Sequence, residues 1–308
     1  MSSVLVIGGN GFIGSHVVDA LAARGHRVTV LDRFSGGLVR YTASGVERCV
    51  GDVLNRADLA AAVAGHEQII HLVSTTTPAT VEDEPALDLR TNLPASIELF
   101  QLAVDAGVKR VVFASTGGAI YGDQDVAVMS EELAPRPISP YAIGKLAIEG
   151  YLRYFRRRSG LESVALRISN PYGPRQGAGR RQGVIPIFLH DVLAQRPLTV
   201  LGDGSMVRDF VAVEDVAAMI VRVVEGEPKR DLYNIGSGRG VTISELVDVI
   251  ARVTGSEPSI ERRPVPPTFV ERVVLDTTRF RDEFGAPELV DLEDGIAATW
   301  ADLVGRTP

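Results

Sequence analysis

The sequence predicts an α/β protein in which a doubly wound parallel sheet is followed by a smaller C-terminal α+β lobe. The first sign is the texture of the strands. Val4-Leu5-Val6-Ile7 is continuously apolar instead of alternating, as in a strand buried on both faces. The second is a regular exchange of such runs with longer helical patterns, which makes a parallel sheet with helices on both sides. The third is a change of character near Arg167, where glycines and prolines cluster over 170–183.

Strands are expected at 4–7, 28–31, 47–50, 68–72 and 110–114. Helices are expected at 14–24, closed by Gly25, and at 55–64, 92–106 and 141–158. A proline-containing turn region, 255–268, separates two later helical patterns. Residues 1–168 form the first domain, with part of 210–236 packed onto it, and 169–308 form mainly the second lobe.

Composition narrows the partners. The 308 residues carry 32 Lys and Arg against 39 Asp and Glu, a formal charge of −7. Nucleic acid and anionic membrane surfaces are therefore not expected partners, and any anionic substrate must meet local cations. Cys49 is the single cysteine, so an intramolecular disulfide is impossible and a reducing, cytoplasmic setting is expected. The apolar run at 4–7 lacks the basic leader and length of a signal peptide, and no run approaches membrane-spanning length. No metal-ligand spacing is present.

Gly8-Gly9-Asn10-Gly11-Phe12-Ile13-Gly14 lies between the first strand and the first helix. Glycines at such a junction permit a tight turn and close backbone approach to a pyrophosphate, and the helix N-terminus supplies oriented N–H donors. Asp32 at the end of the second strand has the spacing of a ribose-binding acid. Its charge disfavours a 2′-phosphate, so NAD is expected over NADP, with Arg33 beside it able to soften the preference. Asp52 and Val53 follow the third strand where an adenine would lie, although Asp52 also suits a helix cap.

Tyr141-Ala-Ile-Gly-Lys145 opens a helix and places a phenol and an ammonium on one face. Bringing a tyrosine from its ordinary pKa of about 10 to neutrality takes roughly 4 kcal/mol of preferential phenolate stabilisation. A lysine and a cationic nicotinamide can supply it. Ser115 and Thr116 end a buried strand at the edge where open α/β sheets bind ligands, and either can share a proton with Tyr141.

In order, Gly8-x-x-Gly11-x-x-Gly14, Asp32, Asp52-Val53, His71-Leu72, Asn92, Ser115-Thr116 with Tyr121-Gly122, and Tyr141-x-x-x-Lys145 resemble the extended short-chain dehydrogenase/reductases. Arg167-x-x-Asn170-x-Tyr172-Gly173-Pro174, Gly202-Asp203-Gly204, Arg208-Asp209-Phe210 and Tyr233-Asn234-Ile235-Gly236 continue the likeness, which is to the UDP-glucose 4-epimerase group. The resemblance implies a Rossmann NAD-binding domain at 1–168 and a nucleotide-sugar-binding lobe at 169–308. It adds Leu72, Val73, Ser74, Asn92 and Pro171 to the cofactor contacts, and Thr116 aligns with the catalytic hydroxyl. Asn170, Arg180, Val184 (in a nucleobase-lining strand, Val184-Ile185-Pro186) and Arg208, the diphosphate arginine, are the implied substrate contacts.

Related dehydratases carry an Asp-Glu pair after the catalytic threonine, and decarboxylases a nearby Glu. Gly117 and Gly118 stand here instead, which favours 4-epimerisation of a nucleotide-diphosphate sugar, UDP-linked. The alternatives are a reductase, dehydrogenase or decarboxylase of the same family, and a non-catalytic NAD-binding sensor. One departure concerns an Arg-x-x-Asp that many relatives carry before Val274-Leu275-Asp276; here Arg263 or Arg272 is left to substitute. By the same resemblance, helices 92–106 and 141–158 pair across a two-fold axis as the four-helix bundle of a homodimer.

Overall fold

The computed structural model describes residues 1–76, 81, 84–177 and 183–306. Its main sheet is built from β1 (Ser3–Ile7), β2 (Arg27–Asp32), β3 (Glu47–Val50), β4 (Gln68–His71), β5 (Arg110–Thr116), β6 (Glu162–Ile168) and β10 (Leu232–Ile235). The spatial order is β10-β6-β5-β4-β1-β2-β3, and every pair is parallel. The order reverses direction between β1 and β4, which opens a crevice at their carboxyl ends.

Successive side chains of a strand face opposite ways, and both faces of this sheet are buried. Val4 and Val6 join Val28, Val30, Ile70, Val112 and Val164 in one core. That layer is closed by α1 (Phe12–Ala23) and α7 (Val213–Glu225). Leu5 and Ile7 join Leu31, Ile69, Val111 and Phe113 in the other core. It is closed by α2 (Arg56–Val63), α4 (Asn92–Asp105) and α5 (Pro140–Ser159). A short helix, α3 (Leu87–Arg90), precedes α4.

The second lobe has its own core, where Ile185, Phe188, Leu198, Phe210, Leu246, Ile250 and Ile296 meet. It comprises β7 (Asn170–Tyr172), α6 (Val184–Leu193), β8 (Leu198–Leu201), β9 (Val207–Ala212), β11 (Gly240–Thr242) and α8 (Ile243–Thr254). β12 (Ile260–Arg263), β13 (Arg272–Val273) and α10 (Leu292–Gly305) complete it, while α9 (Thr278–Phe284) packs back on β10 of the main sheet, Phe280 and Phe284 against Tyr233. β7 pairs with β9, so Asn170 and Pro171 run directly from the end of β6 into the lobe.

Three expectations change. Val184-Ile185-Pro186 is the first turn of α6 and not a strand; Pro186 is tolerated there because a first-turn N–H has no helical partner. The cap of α2 is Asn55, whose Oδ1 accepts from Ala57 N at 2.9 Å. Asp52 instead accepts from Leu54 N at 2.9 Å in the preceding turn. Finally, the turn region 255–268 contains β12, which pairs in parallel with β8. Among the described residues, no helix is long and apolar enough to cross a membrane.

Candidate active site

The glycine loop is shaped by backbone approach. Gly8 has φ +82°, a conformation that side chains rarely adopt. A Cβ on Gly14 would overlap the carbonyl oxygen of Gly8, so α1 starts against the turn. Gly11 is the N-cap of α1 and offers no side-chain cap, so the N–H groups around Phe12 and Ile13 keep their capacity for an anion. Asp32 closes the far side. Its Oδ2 accepts from Asn10 N at 3.1 Å and its Oδ1 from Arg33 N at 2.8 Å, which holds the carboxylate at the crevice with Arg33 exposed beside it. Val53 is buried behind the turn of Asp52. These residues fit a dinucleotide: a helix N-terminus without a side-chain cap, a glycine cradle that a Cβ would fill, and an acid where a ribose would lie.

The loop after β4 forms the next wall. Leu72 N donates to Ile7 O at 3.0 Å, and the Val73 backbone lies against Gly8. Ser74 Oγ donates to Thr76 O at 2.9 Å. Asn92 ties this loop to α4: its Oδ1 accepts from Thr75 N at 2.9 Å, while its Nδ2 donates to Thr76 Oγ1 at 2.8 Å and Asp88 Oδ1 at 2.6 Å. The Asn92 amide is therefore spent on positioning the loop.

Adjacent residues of β5 point to opposite faces, and this separates the two hydroxyls. Ser115 Oγ donates to Glu149 Oε1 at 2.6 Å, inside the protein. Glu149 also receives Arg167 Nε at 3.1 Å and Nη2 at 2.8 Å. Both members of this ion pair are about 1–2% exposed, and the guanidinium lies over the Tyr121 ring at 4.8 Å. Thr116, on the other face, has no hydrogen-bond partner for its hydroxyl among the described residues.

Tyr141 enters from the start of α5, which Ser139 caps through Ala142 N. One turn on, Lys145 Nζ donates to Ala114 O at 2.9 Å and sits 4.7 Å from the Phe113 ring centre and 5.7 Å from that of Tyr141. Burial pushes Lys145 down to about 8, against the opposing pull of the Asp88 and Glu149 carboxylates. Burial, and then Asp88, push the Tyr141 phenol upward. The protein alone therefore favours the phenol over the phenolate at Tyr141.

On the substrate side, Asn170 Nδ2 donates to Asp209 O at 3.0 Å and its Oδ1 faces Gly118. A side chain at Gly117 would overlap Leu275. Arg208 departs from the open diphosphate fork that the resemblance implies. Its Nη1 donates to the carbonyls of Val207 (2.8 Å) and Glu271 (3.1 Å), and its Nη2 to Val270 O at 2.6 Å. Arg272 lines a cavity of about 370 Å³ with Gln124, Ser205, Val207 and Glu271, and its Nε is bonded to Ala127 O at 3.0 Å. Arg263 is exposed on β12 and pairs with Glu261 at 3.0 Å. Arg180 lies outside the described residues. No group of side chains among the described residues could hold a metal ion.

A sequence profile described as the NAD dependent epimerase/dehydratase family matches residues 4–236. The chain belongs to that family. Among its relatives is the UDP-glucose 4-epimerase of Mycolicibacterium smegmatis, 36% identical over an aligned length of 302 that covers 96% of each chain. Two solved structures superpose over nearly the whole length. The UDP-glucose 4-epimerase of Thermotoga maritima with UDP-glucose gives a TM-score of 0.92 at 35% identity, covering 98% of this chain and 99% of the other. That of Thermus thermophilus with NAD gives 0.92 at 35% identity, covering 99% and 100%.

Pattern reading does not single out Asp88, Gly144, Glu149 or a role for Arg167. A glycine one residue before Lys145, inside a helix, is the available signal, because glycine there costs about 1 kcal/mol of helix propensity.

Proposed function

We propose that the chain is an NAD-dependent nucleotide-sugar 4-epimerase of the UDP-glucose/UDP-galactose type. The observation that carries this reading is the Tyr141/Lys145 pair, with Lys145 Nζ 5.7 Å from the phenol ring, beside a dinucleotide crevice at the end of β5, where Thr116 is followed by Gly117 and Gly118. Those glycines offer no acid or base, so nothing beside the catalytic hydroxyl can drive elimination of water. The similarity to UDP-glucose 4-epimerases along the whole chain supports the same choice.

When bound, NAD supplies an acceptor for the C4 hydride and a donor for its return. Gly8, Gly11, Phe12, Ile13 and Gly14 hold the pyrophosphate, and Asp32 with Arg33 faces the ribose. Asp52 and Val53 border the adenine, while Leu72, Val73, Ser74 and Pro171 line the path to the reacting end, with Asn92 positioning the loop. Thr116 orients the sugar O4 and relays its proton to Tyr141, and Lys145 stabilises the phenolate. Asn170, Val184, Arg272 and Arg180 contact the nucleotide, and Arg208 reaches it on exchanging its carbonyl partners for phosphate oxygens. After oxidation the 4-keto sugar would turn in the site to present its other face, and Tyr141 would return the proton to O4.

Ile143, Tyr151 and Tyr154 are 48%, 38% and 47% exposed along α5. Their spacing makes one apolar stripe, which supports a homodimer through a four-helix bundle with α4. The single Cys49 is in keeping with a cytoplasmic protein.

The test is a panel of UDP- and dTDP-sugars incubated with purified protein and no added cofactor, followed by NMR. Formation of the C4 epimer from UDP-glucose or UDP-galactose is expected. In a parallel incubation with added NAD, its stoichiometric reduction with oxidation of the sugar and no epimer formed would replace the epimerase by a dehydrogenase.

A further inference from the structure

The Tyr141/Lys145 pocket holds a carboxylate to which the reaction just proposed assigns no part. Asp88, on α3, is 2% exposed. Its Oδ1 accepts from Thr76 Oγ1 at 2.5 Å and from Asn92 Nδ2 at 2.6 Å. Its Oδ2 presses on α5 at Gly144, where any Cβ would overlap it. One side chain thus joins the loop after β4 to the catalytic helix, and only glycine at 144 admits it.

The charges around it leave it a single cation. Tyr141 and Lys145 feel its charge from α5, and Lys145 in turn feels Glu149 on the same helix and acts on His71 of β4. Glu149 is matched by Arg167 at 2.8 Å. On its own segment, Arg90 is taken by Glu84 at 3.0 Å. His71 is neutral: Ser96 spends its proton on Asn92 O (2.7 Å), so His71 Nε2 must donate to Ser96 Oγ (3.0 Å). His71 Nδ1 is then a bare, unpartnered lone pair, and burial followed by the Lys145 charge pushes the ring down to about 3. Among the described residues, Asp88 is therefore the carboxylate of this pocket without a guanidinium, and Lys145 the cation without a carboxylate in contact.

We propose that Asp88 is a positioning residue for the Tyr141/Lys145 pair, acting as the through-space counter-charge of the Lys145 ammonium and as the clasp between the cofactor loop and α5. The proposal rests on the catalytic reading of that pair. Its electrostatic content is independent of which sugar is turned over. An anion in a desolvated pocket favours the protonated form of every neighbour. It keeps Lys145 charged through neutrality and keeps Tyr141 a phenol until a cationic ring arrives.

Asp88→Asn keeps the acceptor oxygen for Thr76 and Asn92 and removes the charge alone. Competitive acetylation of Lys145, followed by peptide mass spectrometry across pH in the full-length protein, reads its titration without reference to activity. The midpoint is expected to fall by about one pH unit, the size of one tenfold change in proton affinity. Both limbs of the kcat/KM profile should move to lower pH with it. Gly144→Ala, which displaces the carboxylate, should shift the midpoint in the same direction. An unmoved or raised midpoint in Asp88→Asn would overturn the proposal, including the case in which activity falls uniformly with unmoved limbs. If the wild-type protein converts no sugar while the Lys145 midpoint still falls in the variant, the epimerase reading fails and the role of Asp88 stands.

Discussion

Removing either of two neighbouring hydroxyls should give opposite phenotypes, because β5 turns them to opposite faces. Ser115→Ala deletes an O–H that donates to the buried Glu149 carboxylate at 2.6 Å. A hydrogen bond to a charged group contributes about 1.5–3 kcal/mol. The melting entropy of a chain this long is about 0.65 kcal/mol/K, at roughly 2.1 cal/mol/K per residue. The melting temperature should therefore drop by about 2–5 °C, while kcat stays within about threefold of wild type, the scale of an indirect packing effect. Thr116→Val keeps the volume and removes a hydroxyl that no described residue uses. Its melting temperature should stay within about 1 °C, and kcat should fall by about 10²–10⁴, the usual worth of a positioned proton-transfer group. Thermal melts and NMR-followed epimerisation read both quantities on the same samples. A stable Ser115→Ala that has lost catalysis, or a Thr116→Val that melts early and still turns over, would refute the assignment of the two faces.

Two further outcomes follow from the same geometry. Arg167→Met strands the Glu149 carboxylate and should cost about 3–5 kcal/mol, whereas Arg167→Met with Glu149→Leu should be less destabilised than that single variant; denaturant titration of both variants decides, and a double variant worse than the single one contradicts a desolvated pair. Asp32→Ala should weaken NAD binding by about 10–100-fold, the loss of hydrogen bonds to a charged acceptor, and narrow the discrimination against NADP. Calorimetric titration with each dinucleotide checks it, and unchanged NAD affinity would remove Asp32 from the ribose site.

What can be read in the sequence is whatever a local pattern encodes. Val4-Leu5-Val6-Ile7 announces a strand buried on both faces because each face needs its own apolar residues, and the structure divides them as Val4 and Val6 against Leu5 and Ile7. The glycine loop and Tyr141-x-x-x-Lys145 are legible for the same reason: their chemistry is carried by neighbours in the chain. Val184-Ile185-Pro186 misleads because a short apolar run suits a strand or the buried start of a helix equally well, and only the pattern continuing to Leu193 separates them.

The remaining features are pairings across the chain, and no spacing rule reaches them. Ser115 and Thr116 are equivalent until Glu149, 34 residues on, takes one of them. Arg208 looks like an open cation until the Val270 carbonyl, 62 residues on, occupies its Nη2. Asp88 belongs to no pattern, yet Gly144 already carries half of the message. A helix that accepts glycine beside Lys145, at a cost of about 1 kcal/mol, must gain something from the missing side chain, and here that is room for a carboxylate. Local strings therefore disclose which groups a site owns, and the distant partner each group is assigned decides which of them remain available for chemistry.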